Sequence, residues 1–103
     1  MIKRILITAG PTIEPIDPVR YISNFSTGLM GYCLAAEAVK KGYKVVLISG
    51  PVNLRAPKGV RLEKVLTAAD MLKSVLKHAR TSGCIIMAAA VADFTPVRKS
   101  QKK

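Results

Sequence analysis

The chain has 103 residues, half of them apolar and 22% charged, the balance of one globular domain able to bury its own core. No apolar run is long enough to span a bilayer and the N-terminal Met1 to Ile7 is too short for a signal peptide, so a cytoplasmic protein with no membrane partner is expected. The formal charge of +11 invites a nucleic-acid reading. Against it, the basic residues are scattered apart from the run Arg98 to Lys103, and no helix-turn-helix, zinc-finger or aromatic RNA-binding pattern accompanies them. Attraction for phosphorylated small molecules fits the charge at least as well.

In chain order, Lys3 to Thr8 reads as a buried strand, short and β-branched and ending at Gly10. A helix is expected to start near Ser26 or Thr27, hydroxyl residues suited to an N-cap, and to end around Lys41 and Gly42, a cation followed by a C′ glycine. Lys44 to Ser49 is a second buried strand. Gly50 to Val60 carries loop chemistry throughout, and Arg61 to Leu66 alternates basic and apolar residues as a strand near a sheet edge does. A second helix opens at Thr67-Ala68-Ala69-Asp70, a capping-box pattern, and sets Leu72, Val75, Leu76 and Ala79 on one face expected to pack on a sheet. Cys84 to Ala89 is the fourth strand. Cys33 and Cys84 lack metal or redox spacing and are expected to be buried free thiols. His78, inside the second helix beside Lys77, reads as incidental.

Strand–helix–strand alternation predicts an α/β domain with a Rossmann-like parallel sheet, right-handed crossovers and helices on both faces. Numbering the four runs in chain order, the expected strand order is 3-2-1-4, with a crevice between strands 1 and 4 at their carboxyl ends. The two most polar motifs fall there. About sixteen residues, Gly10 to Phe25, separate the first strand from its helix, where such loops usually hold roughly two to six. They supply Arg20 and Asn24, and Ser26, Thr27, Gly28 and Gly31 follow at the helix start. Free amides and the helix dipole favour phosphate at such an end. The two glycines serve a ligand's close approach or the packing of helix on sheet, and spacing does not choose between these. Arg20 and Asn24 taken singly are more often a surface charge and a turn residue. Asp93 follows the fourth strand amid small residues that leave room for a ligand, or else caps a turn before Pro96. A dinucleotide site would need a Gly-x-Gly-x-x-Gly after the first strand and an acid ending the second. The chain has Gly10-Pro11-Thr12 and Ser49-Gly50-Pro51 instead, and no nucleophile–base pair of the triad type.

The motifs Thr8-Ala9-Gly10-Pro11-Thr12, Asp17-Pro18-Val19-Arg20-Tyr21-Ile22-Ser23-Asn24, Ser26-Thr27-Gly28, Met30-Gly31, Ser49-Gly50-Pro51 and Ala88-Ala89-Ala90-Val91-Ala92-Asp93 occur in one order along the chain. Together they closely resemble the phosphopantothenoylcysteine synthetase (phosphopantothenate–cysteine ligase) family. The resemblance spans residues 1–103 and covers about the first half of that family's synthetase domain. It implies CTP-dependent ligation of L-cysteine to 4′-phosphopantothenate through an acyl-cytidylate. CTP would be a co-substrate, Mg2+ would accompany the triphosphate, and no flavin would sit in this segment. The resemblance also implies a homodimer and a flavin-dependent decarboxylase as a fused or separate companion.

By the same resemblance, Asn24 contacts the acyl group and Arg20 reaches the phosphopantothenate of a neighbouring subunit. Gly10, Ser26, Gly28 and Gly31 form the nucleotide-phosphate cradle. Met87, Ala88, Ala89, Ala90 and Asp93 wall the joint pocket, with Ala89, Ala90 and Asp93 also on the pantothenate side. The family's triphosphate lysine falls on Lys103, or on Lys102 if the loop differs by one residue. Leu29 stands where the family often has lysine, and the base-recognition half of the domain lies beyond the matched segment. Two other classes compete with this reading: a non-catalytic nucleotide- or nucleic-acid-binding module, and a short NAD(P)-dependent oxidoreductase.

Overall fold

Period-two and continuous apolar runs become one parallel sheet. The computed structural model describes residues 4–15, 17, 20–23 and 26–90. Its elements are β1 (Arg4–Ala9), β2 (Glu14–Pro15), β3 (Tyr21–Ile22), α1 (Leu29–Lys40), β4 (Lys44–Ser49), β5 (Val60–Lys64), α2 (Ala68–Ala79) and β6 (Cys84–Met87). The main sheet has the order β5-β4-β1-β6 with every neighbour parallel. With the short pair β2–β3 set aside, this is the 3-2-1-4 order expected from the sequence.

Register decides which side chains meet. Ile5 lies beside Val45 and Cys84, and Leu6 beside Val46 and Ile85. Alternation along β1 and β4 therefore splits the core in two. Ile5, Ile7, Ala9, Val45 and Leu47 pack with Tyr32, Ala35 and Ala38 of α1, while Leu6, Val46 and Ile48 pack with Met71 of α2. One helix covers each face, as the alternation of elements requires.

Four local features differ from the sequence expectation, each for a physical reason. The connection between β1 and α1 is not one long loop, because β2 and β3 pair antiparallel within it, Glu14 opposite Ile22 and Pro15 opposite Tyr21. The N-cap of α1 is Gly28, at φ 79° and without a side-chain cap, rather than Ser26 or Thr27. Thr27 still contributes, its hydroxyl accepting the Leu29 N–H at 3.3 Å. Cys33 is exposed and Cys84 half-buried, both free thiols. The inward stripe of α1 runs through Gly31, Tyr32, Ala35 and Ala38, which turns position 33 outward.

The fourth difference is the rotation of α2. Its N-terminus has the expected capping box: the Asp70 N–H donates to Thr67 Oγ1 at 3.1 Å, and the Thr67 N–H to Asp70 Oδ2 at 3.2 Å. Its buried residues, however, are Met71, Ser74 and His78. Leu72 and Leu76 are 58% and 64% exposed. A polar clasp sets this rotation. Ser74 Oγ donates to Glu63 Oε1 of β5 at 3.0 Å, and His78 Nε2 bonds Glu63 Oε2. Ser74 and His78 are one helical turn apart and meet the same carboxylate, so the leucine stripe is turned away from β5. His78, expected to be incidental to function, is thus a buried structural partner of Glu63.

Burial opposes the charge on Glu63, but the hydrogen bonds from His78 and Ser74 and the charges of His78 and Lys77 outweigh it and hold its carboxyl below the ordinary value. A carboxyl with a lowered folded-state pKa adds stability above its unfolded pKa and loses it as the pH falls through the folded value. Glu63→Gln is therefore expected to cost about 1–3 kcal/mol at neutral pH, the range for a hydrogen bond to a charged group. In urea unfolding at stepped pH, wild type and variant should converge as the pH falls through the lowered folded-state value of the Glu63 carboxyl, where the wild-type side chain also becomes neutral.

Candidate functional site

The carboxyl ends of β1 and β6 meet the N-terminus of α1, and the contacts there are unusually close. The chains following β1 and β6 stay zipped beyond the strands. The Ala88 N–H donates to the Thr8 carbonyl at 3.1 Å, the Ala90 N–H to the Gly10 carbonyl at 2.9 Å, and the Thr12 N–H to the Ala90 carbonyl at 3.2 Å. Pro11 and Ala90 form a parallel bridge. The crevice expected at these strand ends is therefore not reached within residues 88–90. Thr8 fixes the turn from the side, its hydroxyl accepting the Ala89 N–H at 3.2 Å while facing the Met87 sulfur.

Three of the glycines named for the phosphate cradle sit in van der Waals contact with the protein itself. A Cβ on Gly28 would lie 3.3 Å from the Gly10 Cα and 2.9 Å from a Val52 methyl, and a Cβ on Gly10 would meet the same methyl at 2.9 Å. Both have positive φ, 78° at Gly10 and 79° at Gly28, which glycine adopts without strain. At Gly31 a Cβ would overlap the Ala9 side chain and lie 3.1 Å from the Thr8 carbonyl oxygen. These glycines let α1 lie directly on the end of β1. Gly28 thus meets Gly10, and Gly10 meets Ala90, while Gly31 rests on Ala9 and residues 87–89 pair with Thr8.

The two helix N-termini at this end of the sheet are electrically unlike. The Ala68 N–H at the start of α2 donates to the buried Glu14 carboxylate at 2.8 Å, and Asp70 closes its capping box. Hydrogen bonds from the Thr67 backbone and side chain hold the Asp70 carboxyl below its ordinary range. α1 has no acid in its first turn and no side-chain cap. Among the described residues its start is met by the neutral Thr27 hydroxyl, on the Leu29 N–H, and by no carboxylate.

Arg20 stands on the β2–β3 arm. Its Nε donates to Asp17 Oδ2 at 2.7 Å, Nη2 lies 2.6 Å from the same oxygen, and its backbone N–H donates to Asp17 Oδ1 at 2.8 Å. The Asp17 side chain is 1% exposed, while that of Arg20 is 68% exposed. A buried carboxylate thus aims an exposed guanidinium. The same arm is anchored by Ser23, whose hydroxyl donates to the Thr12 carbonyl at 2.9 Å. Ser26, half-buried, leads into α1. Asn24, Asp93, Lys102 and Lys103 lie outside the described residues.

Sequence reasoning missed Glu14, Asp17 and Val52. The three-residue spacing of Asp17 and Arg20 was a usable signal. Glu14 meets α2 across 54 positions, and nothing local marks that contact. Among the described residues no group of three or more His, Cys, Asp or Glu could hold a metal ion, and no helix is long and apolar enough to cross a membrane.

An α/β sheet with a tight strand-to-helix junction at its switch point belongs to the doubly wound class. Residues 1–103 match the family model described as the DNA/pantothenate metabolism flavoprotein C-terminal domain, and the chain belongs to that family. It is 56% identical over 94 residues to the coenzyme A biosynthesis bifunctional protein CoaBC of Borreliella burgdorferi, a match that takes in 91% of this chain and 24% of that protein. A crystal structure of the C-terminal domain of a CoaBC protein superposes with a TM-score of 0.89 at 50% identity, covering 95% of this chain and 50% of that one. A Cab2 structure in complex with phosphopantothenate-cysteine shares the fold at a TM-score of 0.85 and 24% identity, covering 98% of this chain and 50% of that one. The chain therefore spans about a quarter of its curated relatives and half of the solved domain.

The contact at Gly31 gives a direct test of helix-on-sheet packing. Alanine would gain about 1 kcal/mol in intrinsic helix propensity over glycine. Overpacking against Ala9 is expected to outweigh that gain and leave Gly31→Ala about 1–3 kcal/mol less stable in denaturant unfolding. Gly42→Ala, where a Cβ meets nothing within 4 Å, should cost only the left-handed backbone penalty of about 1–2 kcal/mol. A Gly31→Ala protein as stable as wild type would show that this glycine is not needed for packing.

Proposed function

We propose that this chain is the first half of a phosphopantothenate–cysteine ligase domain, acting in coenzyme A biosynthesis with CTP as co-substrate. The carrying observation is the N-terminus of α1, without an acid in its first turn and seated by glycine contacts on Gly10, whose carbonyl accepts from Ala90, in a chain whose curated relatives are named for coenzyme A biosynthesis. A helix end free of acids and beside small residues suits a phosphate group.

In this reading a carboxylate oxygen of 4′-phosphopantothenate attacks the α-phosphorus of CTP. The bond to pyrophosphate breaks, and an acyl-cytidylate forms. The amine of L-cysteine then attacks the acyl carbon, CMP leaves with the bridging oxygen, and the amine proton passes to solvent. Gly10, Ser26, Gly28 and Gly31 cradle phosphate, Lys103 or Lys102 neutralises the triphosphate, and Asn24 orients the activated acyl group. Met87, Ala88, Ala89, Ala90 and Asp93 wall the pocket. Positioning and charge neutralisation carry both steps.

The described acids do not make a protein-held magnesium site, since Glu14 is engaged by Ala68 and Asp17 by Arg20. Mg2+ would ride on triphosphate oxygens, and no step here is assigned to it. Asp17 engages Nε and Nη2 of Arg20, and a guanidinium has five N–H donors, so donors remain for the phosphopantothenate of a neighbouring subunit in a homodimer. The remaining half of the domain would pack beyond β6. Ile85 and Met87, 42% and 63% exposed, share the α2 face of the sheet with Leu6 and Thr8, and Leu72 and Leu76 of α2 are also exposed. Exposed apolar area of this kind marks a surface to be covered.

The test is a chimera in which this chain replaces the matching residues of the Borreliella burgdorferi relative. With CTP, Mg2+ and 4′-phosphopantothenate, Asn24→Ala is expected to release pyrophosphate yet transfer cysteine slowly, so that acyl-cytidylate accumulates in quench-flow. Lys103→Ala should instead slow the first step by weakening triphosphate binding roughly ten- to a hundredfold, the range for a lost charge-assisted contact. If Asn24→Ala blocks pyrophosphate release as fully as Lys103→Ala, Asn24 belongs with the nucleotide. A chimera that folds but makes no phosphopantothenoylcysteine would overturn the assignment.

A further inference from the structure

A cavity of about 630 Å³ lies on the α1 face of the sheet, beyond the carboxyl ends of β4 and β5. The ligase reading makes no use of it, and Val52 separates the two places. One Val52 methyl packs against Gly10 and Gly28, and the same residue lines this cavity. Its volume falls in the range of small-molecule sites, roughly 300–1,000 Å³.

The lining has a consistent chemistry. Arg55 and Lys64 are its charged residues, both exposed, and no acid lines it. Lys64 pairs with Ser49 in the sheet register, which sets the lysine beside the buried floor. On that floor the Tyr32 hydroxyl donates to Ser49 Oγ at 2.8 Å, and Ser49 Oγ–H donates to the Gly50 carbonyl at 2.7 Å. The floor hydroxyls are thereby fixed, with their protons committed within the protein. Leu54 and Leu62 supply apolar wall between floor and mouth. Among the described residues no backbone carbonyl accepts from the amides of residues 52–56, which leaves those donors to solvent or a ligand.

We propose that this cavity is a binding site for a phosphate monoester carrying a short apolar arm. Two cations without a neighbouring acid match a dianion better than a monoanionic carboxylate. The apolar wall takes the arm. The assignment does not depend on the ligase reading, because its residues are not those given to CTP or phosphopantothenate.

The test is a two-dimensional 15N–1H NMR titration of the full 103-residue chain with butyl phosphate, and in parallel with butyrate, inorganic phosphate and butanol. Butyl phosphate is expected to shift the amides of Tyr32, Ser49, Val52 to Ala56 and Lys64, and to bind about tenfold more tightly than each of the other three probes, which lack either the dianion or the arm. The double variant Arg55→Gln, Lys64→Gln should weaken it by about tenfold or more, with a dispersed spectrum as the check on folding. Lys64→Arg should retain binding, and Lys77→Gln on the far helix should leave it unchanged. Shifts centred instead on residues 28–31 and 88–90 would overturn the proposal, as would a double variant that binds like wild type. Equal binding of butanol would reduce the site to an apolar dent and overturn it too.

Discussion

The carboxyl end of the sheet depends on how closely α1 approaches β1. Gly31 rests on Ala9, Gly28 on Gly10, and a Cβ on Gly50 would overlap the Pro11 carbonyl. Each contact excludes a side chain, so the backbone of the helix start lies directly against the backbone of the strand end. This closeness brings the start of α1 beside Gly10, whose carbonyl accepts from Ala90. Val52 then fills the space on the other side of the two positive-φ glycines. A larger residue at any of these positions would lift the helix and separate the groups that the functional reading needs together.

The opposite face is held by a different kind of interaction. α2 packs Met71 and Val75 on Leu6, Val46 and Ile48, while Leu72 and Leu76 face outward. It is fixed at its start by Glu14 and the Thr67–Asp70 box, and along its length by Glu63 receiving Ser74 and His78. Glu14 and Asp70 also oppose its N-terminal dipole, so the start of α2 is already met by carboxylates of the fold. The β2–β3 arm that supplies Glu14 also supplies Arg20, held by Asp17. One short hairpin therefore closes one helix end and projects a cation outward. That division explains why so many residues separate β1 from α1.

Much of this was legible in the residues. Two strands declared themselves by β-branched runs bounded by glycine, a third by alternation and the fourth by a continuous apolar run, and the alternation with helices predicted a parallel sheet and its order. Thr67 and Asp70 announced a capping box that is present. The rotation of α2 was not legible. Leu72, Val75, Leu76 and Ala79 form a better apolar stripe than the face through Met71, Ser74 and His78, and only a carboxylate on β5, distant in sequence, selects the latter. The arm was unreadable because strands of two residues have no period to detect. At the candidate site the glycines stood out as glycines. Sequence spacing could not tell whether protein or ligand would lie against them, and protein contacts occupy part of that space.

The chain carries 17 Lys and Arg against six Asp and Glu, and the described acids are mostly engaged within the fold. Glu14 and Asp70 serve the start of α2, Asp17 holds Arg20, and Glu63 holds Ser74 and His78. Glu37 lies 4.0 Å from Lys41 on the surface. The cations thus set a positive field over the molecule, and a field of that kind raises encounter rates with anions without selecting among them. Selection needs fixed geometry within the field. The glycine-seated start of α1 has such geometry at one place, and the Arg55–Lys64 cavity with its hydroxyl floor has it at another. In the proposed function and the proposed cavity site alike, the positive charge would serve to deliver an anion to a place whose geometry then selects it.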